Sequence, residues 1–286
     1  MPDMPARKPP TVRLRRLGQE MQRLREEAGL SRDQAAERTR MDPSSLWRLE
    51  TAKNRPQRRT VLTLLDLYGV TKREDQARYV DLLTKSSELG WLTDFEEALP
   101  EDYQTYISFE SGANRLICFE PSFVHGLLQT PEYARALIRG LDPTLDEEDV
   151  ARRAEVRARR QAALEGKANV ALWMVLDEAV LHRKVGGDTV MQAQLEHLAT
   201  MARRKDTVLQ IVPFDAGAHP GSRGAFTLME FPDPDPALVY IETLTGNLFL
   251  EKPAEVSQYR ANFEQLIAQA LSPQASLRMI TAIGAP

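Results

Sequence analysis

Apolar residues recur at helical spacing through the first 85 positions and at strand spacing between 168 and 250, dividing the chain into a helical part and a mixed part. In residues 12–28, Val12, Leu14, Leu17, Met21 and Leu24 form one apolar face, and Gly29 supplies a helix stop. Ser31 is an N-cap for a helix over 32–38, whose Ala35 and Ala36 are small enough for a second helix to cross closely. Asp42-Pro43 is a second start, a capping carboxylate followed by proline at the first helical position. The helix it opens, 44–50, turns Leu46 and Leu49 inward and Ser44, Ser45, Trp47 and Arg48 outward. Thr60 is read as the cap of a fourth helix. A fifth, 73–87, carries Tyr79, Leu82 and Leu83 on one stripe.

The pattern changes from Gly90. Residues 90–112 are acidic and aromatic, a connector leading into a helix with Tyr103, Tyr106, Ile107 and Glu110. Residues 113–121 read as a strand stopped by Pro121. Residues 123–140 restart as a helix, with Thr130 as cap and Pro131 at its first position, and 146–166 form a long polar helix. Five apolar or alternating segments follow (NVALWMVL, TVLQIVPF, GAFTLMEF, ALVYIETL, NLFLEK) with a helix between the first two and another over 254–271. The expected fold is therefore multidomain: an all-α helix-turn-helix domain followed by an α/β domain with a mixed sheet. The predicted bounds are a flexible arm at 1–11, the helical domain at 12–88, a connector at 89–112 and the α/β domain at 113–286.

Overall charge hides an asymmetry. The chain carries 37 Lys and Arg against 41 Asp and Glu. Residues 1–80 hold 18 basic and 11 acidic side chains, net +7, and the remainder is net −11. A basic head on an acidic body is the footprint of a nucleic-acid module joined to something else. The single cysteine, Cys118, excludes a disulfide framework and most zinc sites and reads as a core thiol. No apolar run approaches the ~20 residues that cross a bilayer, and the prolines and basic residues of the N-terminal arm do not read as a signal peptide, so a cytoplasmic location is expected.

Two helices joined by a tight turn over 29–56 have the plan of a helix-turn-helix, whose second helix lies in the major groove. The spacing GLS-x(4)-A-x(8)-SSLWRLE-x(5)-P resembles the XRE, lambda-repressor-like, family. Two positions depart from the family pattern: Arg40 stands where the turn usually has glycine, and Arg32 where glutamine is common. The resemblance implies double-stranded DNA as partner, with Pro43, Ser44 and Arg48 at base edges and Trp47 beside them. Arg48 can donate twice to a guanine edge. Trp47 either stacks on sugar or a thymine methyl, or packs on protein. Arg32, Ser45, Lys53 and Arg55 would take phosphates.

The second half, in FEPSFVHGLLQTPEYARAL, LDEAVLHRKVGGDTVMQAQLEHL and LQIVPFDAGAHPGSRGAFTLMEF, resembles the uncharacterised C-terminal domain of actinobacterial XRE regulators, called antitoxin-like and often encoded beside a small partner protein. His125 replaces an expected proline. An enzyme is not expected. His182, Lys184 and Asp188 approach the HxK…D signature of phospholipase D-like enzymes, but one residue short and in a single copy, and a helix ending at Gly186-Gly187 accounts for them more simply. The four histidines lack metal-ligand spacing, and no metal or cofactor is expected. The glycine-rich run 217–226 with Arg223 reads as a plain loop in preference to an anion cradle. Trp91, Tyr103, Tyr106, Phe119 and His125 cluster in sequence. A ligand pocket, if present, would be sought at Tyr103, Tyr106, Glu120, His125 and Gln129, with Glu178 nearby. The expected protein is a homodimeric transcriptional regulator whose C-terminal domain binds a small ligand or a protein. The alternative is an antitoxin-like protein that chiefly holds a small partner and regulates itself through DNA.

Overall fold

Helix α1 (Val12–Glu27) stops at Gly29, whose φ of +67° lets Leu30 N–H reach back to the Arg25 carbonyl at 3.1 Å and Gly29 N–H to that of Glu26 at 2.9 Å. Ser31 then starts α2 (Arg32–Thr39) in a full capping box with Gln34. Arg40 closes it at φ 54°, the turn conformation expected of that position, with Met41 N–H bonded to the Ala36 carbonyl. Asp42 accepts from Ser45 N–H and opens α3 (Pro43–Glu50). Ala52, at φ 55°, ends α3 in the same manner as Arg40 ends α2. Next come α4 (Arg58–Leu67) and α5 (Arg73–Lys85), then a 3-10 turn over Gly90–Phe95 and α6 (Glu101–Gly112).

This computed structural model describes residues 12–85, 90–95, 99–165, 170–233 and 235–284. The predicted arm 1–11 and Ser87, the expected end of the fifth helix, lie outside those residues, as does the Val12 side chain. Two units result, Met1–Gly112 and Ala113–Pro286. In the first, Leu14, Leu17, Met21, Leu24, Leu46, Leu49, Val61, Leu64, Leu65, Tyr79 and Leu83 form the core that the apolar periodicity anticipated. Two expectations are corrected. Thr60 is not a cap: α4 begins three residues earlier than its cap reading required, with Gln57 at the N-cap. The stretch expected as a connector leading into a helix belongs to the first unit, its α6 packing against α1.

The second unit is a six-stranded mixed sheet. Its elements run β1 (Arg115–Glu120), α7 (Pro131–Leu141), α8 (Glu147–Glu165), β2 (Ala171–Asp177), α9 (Ala179–His182), α10 (Asp188–Met201), β3 (Thr207–Val212), β4 (Phe226–Glu230), β5 (Leu238–Thr243), β6 (Gly246–Leu250), α11 (Pro253–Gln269) and α12 (Pro273–Ile283). Strand order is β3-β2-β1-β4-β5-β6: β1, β2 and β3 are parallel, and β4, β5 and β6 are added antiparallel. All five later strands stand where alternation put them. The helix expected from residue 123 starts only at Pro131, after a 3-10 turn at Gly126–Leu128, because Thr130 and Pro131 fix the start. Helix α12 was not anticipated. Ile117, Phe119, Val175, Val212, Leu228 and Val239 pack with Val256, Phe263 and Leu266 of α11 on one face of the sheet.

The crossing of α1 over α3 depends on Gly18. A Cβ there would lie 2.5 Å from the Glu50 carbonyl oxygen and 2.7 Å from that of Leu49, both backbone atoms that cannot rotate away. Gly18→Ala is expected to lower the stability of the first unit by about 1–3 kcal/mol. Urea unfolding followed by circular dichroism measures it, and an unchanged midpoint would contradict the close crossing.

Candidate functional site

The outward face of α3 is held from beneath by buried charge. Glu50, the last residue of the helix, has a fully buried side chain. Its carboxylate accepts from Arg25 Nε at 2.6 Å and Arg25 Nη2 at 3.2 Å, and from Arg32 Nε at 3.0 Å. Arg25 Nη1 also donates to the Leu30 carbonyl at 2.9 Å. One carboxylate thus ties α1, α2 and α3 together. Glu50 also holds the Arg25 guanidinium more firmly charged than usual. Burial, reinforced by Glu50, pushes the Tyr68 hydroxyl well above its ordinary range. Neither Glu50 nor Arg25 was anticipated as a fixing pair, because their positions lie 25 apart and no local pattern links them.

Above this anchor, Pro43 and Ser44 are exposed at the start of α3, with Trp47 38% exposed one turn on. The Ser44 hydroxyl donates to the Asp42 carboxylate, and that bond with Ser45 N–H holds Asp42 below the usual carboxylate range. Arg48 Nη2 donates to Ser45 Oγ at 2.9 Å, joining the expected base reader to an expected phosphate ligand. Lys53 Nζ sits 4.5 Å from the Trp47 ring centroid, a cation–π pair that packs tryptophan on its own domain. Arg32 and Arg55, both expected at phosphates, each commit a donor internally: Arg32 to Glu50 and Arg55 Nη2 to the Leu83 carbonyl at 2.7 Å. Arg40, Arg58 and Arg59 are exposed on the same unit.

The second unit gathers polar groups at the carboxyl ends of its parallel strands, the region outside an open α/β sheet where ligands characteristically bind. Glu120 ends β1, partly buried, and no hydrogen bond reaches its carboxylate among the described residues. Burial, with the charge of Glu242 adding to it, pushes its carboxyl up to about 8. Asp177 ends β2 and lies 3.1 Å from His219 Nε2, whose ring stands edge-on to Phe119. Glu178 holds His182 at 3.3 Å and accepts from Phe214 N–H at 2.7 Å. His125 is buried and its Nδ1 accepts from Leu127 N–H, so it caps the local turn. Gln129 Nε2 donates to the Val124 carbonyl at 2.7 Å, and its Oε1 is buried without a partner. Tyr103 and Tyr106 stack at 5.9 Å but belong to the first unit, whereas Glu120, His125 and Gln129 belong to the second. The glycine-rich run forms one 3-10 turn, Pro220–Arg223, and packs Gly221 against Phe119, with Arg223 exposed. Lys184 pairs with Asp188 at 2.6 Å, and Cys118 is fully buried. No group of three or more potential metal ligands occurs among the described residues.

Set beside known protein families, residues 103–282 match the Domain of unknown function (DUF5753), more than half of the chain. The chain belongs to the DUF5753 family. Residues 16–78, which include α2 and α3, match a helix-turn-helix domain. Neither the curated proteins nor the solved structures gave a match. No helix among the described residues is long and apolar enough to cross a membrane.

Two outcomes follow from these geometries. Glu50→Gln removes the charge that compensates buried Arg25 and is expected to cost about 3–5 kcal/mol. Thermal unfolding of the first unit reads it, and a loss near zero would mean that the ion pair fixes nothing. In the second unit, the folded chain keeps a proton on Glu120 that the unfolded chain releases above its ordinary value of 4.5. Stability therefore falls as pH rises from about 4.5 to 8 and levels off above. Glu120→Gln should flatten that window in a pH series of melts, and an unaltered slope would remove Glu120 as its source.

Proposed function

We propose that the protein is a sequence-specific, XRE-type transcriptional regulator that binds duplex DNA through α3 as a homodimer. The observation that carries the reading is the outward face of α3, where Ser44, Trp47 and Arg48 project from a helix anchored by a buried ion pair. A recognition helix needs that combination: short, exposed at its N-terminal half and rigidly seated. The surrounding basic residues supply salt-dependent attraction to phosphate, and Arg48 supplies discrimination. Two copies match paired half-sites, since one small module seldom reaches useful specificity. The protein is read as a cytoplasmic non-enzyme, with His182 against Glu178 at 3.3 Å and Lys184 paired with Asp188 at 2.6 Å on the surface.

The DUF5753 domain is read as the part that receives the signal, from a small ligand or a protein. An antitoxin-like role, holding a small protein encoded nearby while DNA binding regulates its own gene, is favoured by one feature. Phe214 is 57% exposed and stacked on His182, an aromatic surface that a protein partner could cover.

The decisive measurement is binding to a duplex from the protein's own upstream region and to a scrambled duplex across a salt series. Arg48→Ala should reduce preference for the native duplex by roughly 10- to 100-fold, the worth of one bidentate base contact. Lys53→Ala should weaken both duplexes alike and lower the salt slope by about 1. Equal loss on both duplexes for Arg48→Ala would overturn its assignment as a base reader.

A further inference from the structure

The two edges of the sheet are finished differently. At β3 the chain closes its own edge: Leu271 N–H donates to the Ile211 carbonyl at 2.8 Å, Ile211 N–H donates to Ser276 Oγ at 2.9 Å, and Gln210 Nε2 donates to the Leu271 carbonyl at 2.9 Å. Helix α12 then lies along that strand. At the other edge, β6 is the outermost strand, and among the described residues no strand pairs with its outer side. Edge strands are ordinarily blunted by lysine, proline, bulges or a covering element. Strand β6 reads Gly246-Asn247-Leu248-Phe249-Leu250, with no charge and no proline. Its register with β5 is unbroken from Thr243–Gly246 to Val239–Leu250, so no bulge twists it away. Leu248 at its centre is 51% exposed, and Leu244 at the hairpin tip is fully exposed.

We propose that β6 is the dimerisation edge, pairing antiparallel with β6 of a second copy about a two-fold axis near Leu248 to give one continuous sheet. The inference deepens the two-headed DNA reading above, which requires two copies without saying where they join. Self-pairing suits this strand because a two-fold axis sets Leu248 opposite itself and Asn247 opposite Phe249, with no like charges facing each other. It also suits the body that bears it. The second unit, residues 113–286, carries 18 basic and 22 acidic side chains, a net −4, so two copies gain nothing from their overall charge, and an uncharged strip is where they approach at least electrostatic cost. A foreign strand would gain the same backbone bonds but not this symmetry.

The test is the mass of the full chain by light scattering at micromolar concentration, with Leu248→Lys beside it. The native chain is expected at about 65 kDa, twice the 32.3 kDa of one copy, and Leu248→Lys at about 32 kDa with an unchanged circular dichroism spectrum. Leu248→Cys should form a disulfide-linked dimer on mild oxidation, because facing residues of an antiparallel pair stand about 4.5–5.5 Å apart at Cα, within disulfide reach. A monomeric native chain overturns the proposal. So does a dimer that survives Leu248→Lys and does not cross-link through Leu248→Cys. A duplex with one half-site separates this result from the DNA reading. Leu248→Lys should bind it as the native chain does and lose only the added affinity for two half-sites. Loss of the single-site binding by the native chain would instead count against the helix-turn-helix assignment.

Discussion

Everything on the DNA-facing side of the first unit rests on one buried carboxylate. Glu50 has no access to water and takes three hydrogen bonds from two guanidinium groups on two other helices. Burying such a group costs several kcal/mol in desolvation, and only complete pairing offsets it. Its value lies in geometry more than in net stability. An apolar contact tolerates a helix sliding by a fraction of a turn, whereas a bidentate Arg25–Glu50 pair and its third donor do not. Gly18 enforces the same crossing from the opposite side, by letting the α1 backbone touch the carbonyls of Leu49 and Glu50. The base-reading role proposed for Arg48 needs that degree of restraint.

The turns on either side of α3 show how much the local backbone gives up for this placement. Four helices of the first unit end with the same left-handed residue and pair of return hydrogen bonds, at Gly29, Arg40, Ala52 and Gly69. Glycine stands at the two ends remote from α3. At the two ends that flank it, Arg40 and Ala52 adopt the conformation with a side chain in place, at roughly 1 kcal/mol each. Ala52 recovers part of this by burying its methyl group in the core. Arg40 is exposed and recovers nothing by packing. Its charge beside the turn is the contribution that glycine would lack, consistent with a surface shaped to meet phosphate.

Much of the architecture was legible because it is signalled locally. Ser31, Asp42-Pro43 and Thr130-Pro131 each announce a helix within four residues, and the five apolar segments after 168 announce strands by alternation. Failures came where the deciding partner is distant or the signal is a near repeat of one already used. Ser272-Pro273 has the form of Thr130-Pro131, yet α12 went unread because it follows α11 after only three residues. Thr60 resembled a cap, but Pro56 ended the preceding loop early enough for α4 to begin at Arg58. In the site, the exposed face of α3 was readable from spacing, whereas Arg32 and Arg55 could not be seen to spend donors on Glu50 and Leu83. The Asp177–His219 contact, 42 residues apart, had no local signal at all.

The sheet topology explains why the second unit concentrates unspent chemistry at one end. With β1, β2 and β3 parallel and β4 turning back beside β1, the carboxyl ends of three strands open on the same side, and each carries an acid at or just beyond its end: Glu120, Asp177-Glu178, Asp215. Asp177 and Glu178 are satisfied by His219, His182 and the Phe214 N–H, so folding accounts for them. Glu120 is not. Its carboxyl takes no hydrogen bond among the described residues, and burial, with the charge of Glu242 adding to it, pushes it up to about 8. Glu120 stands at the end of the strand where the topology reverses, with β2 parallel on one side of β1 and β4 antiparallel on the other.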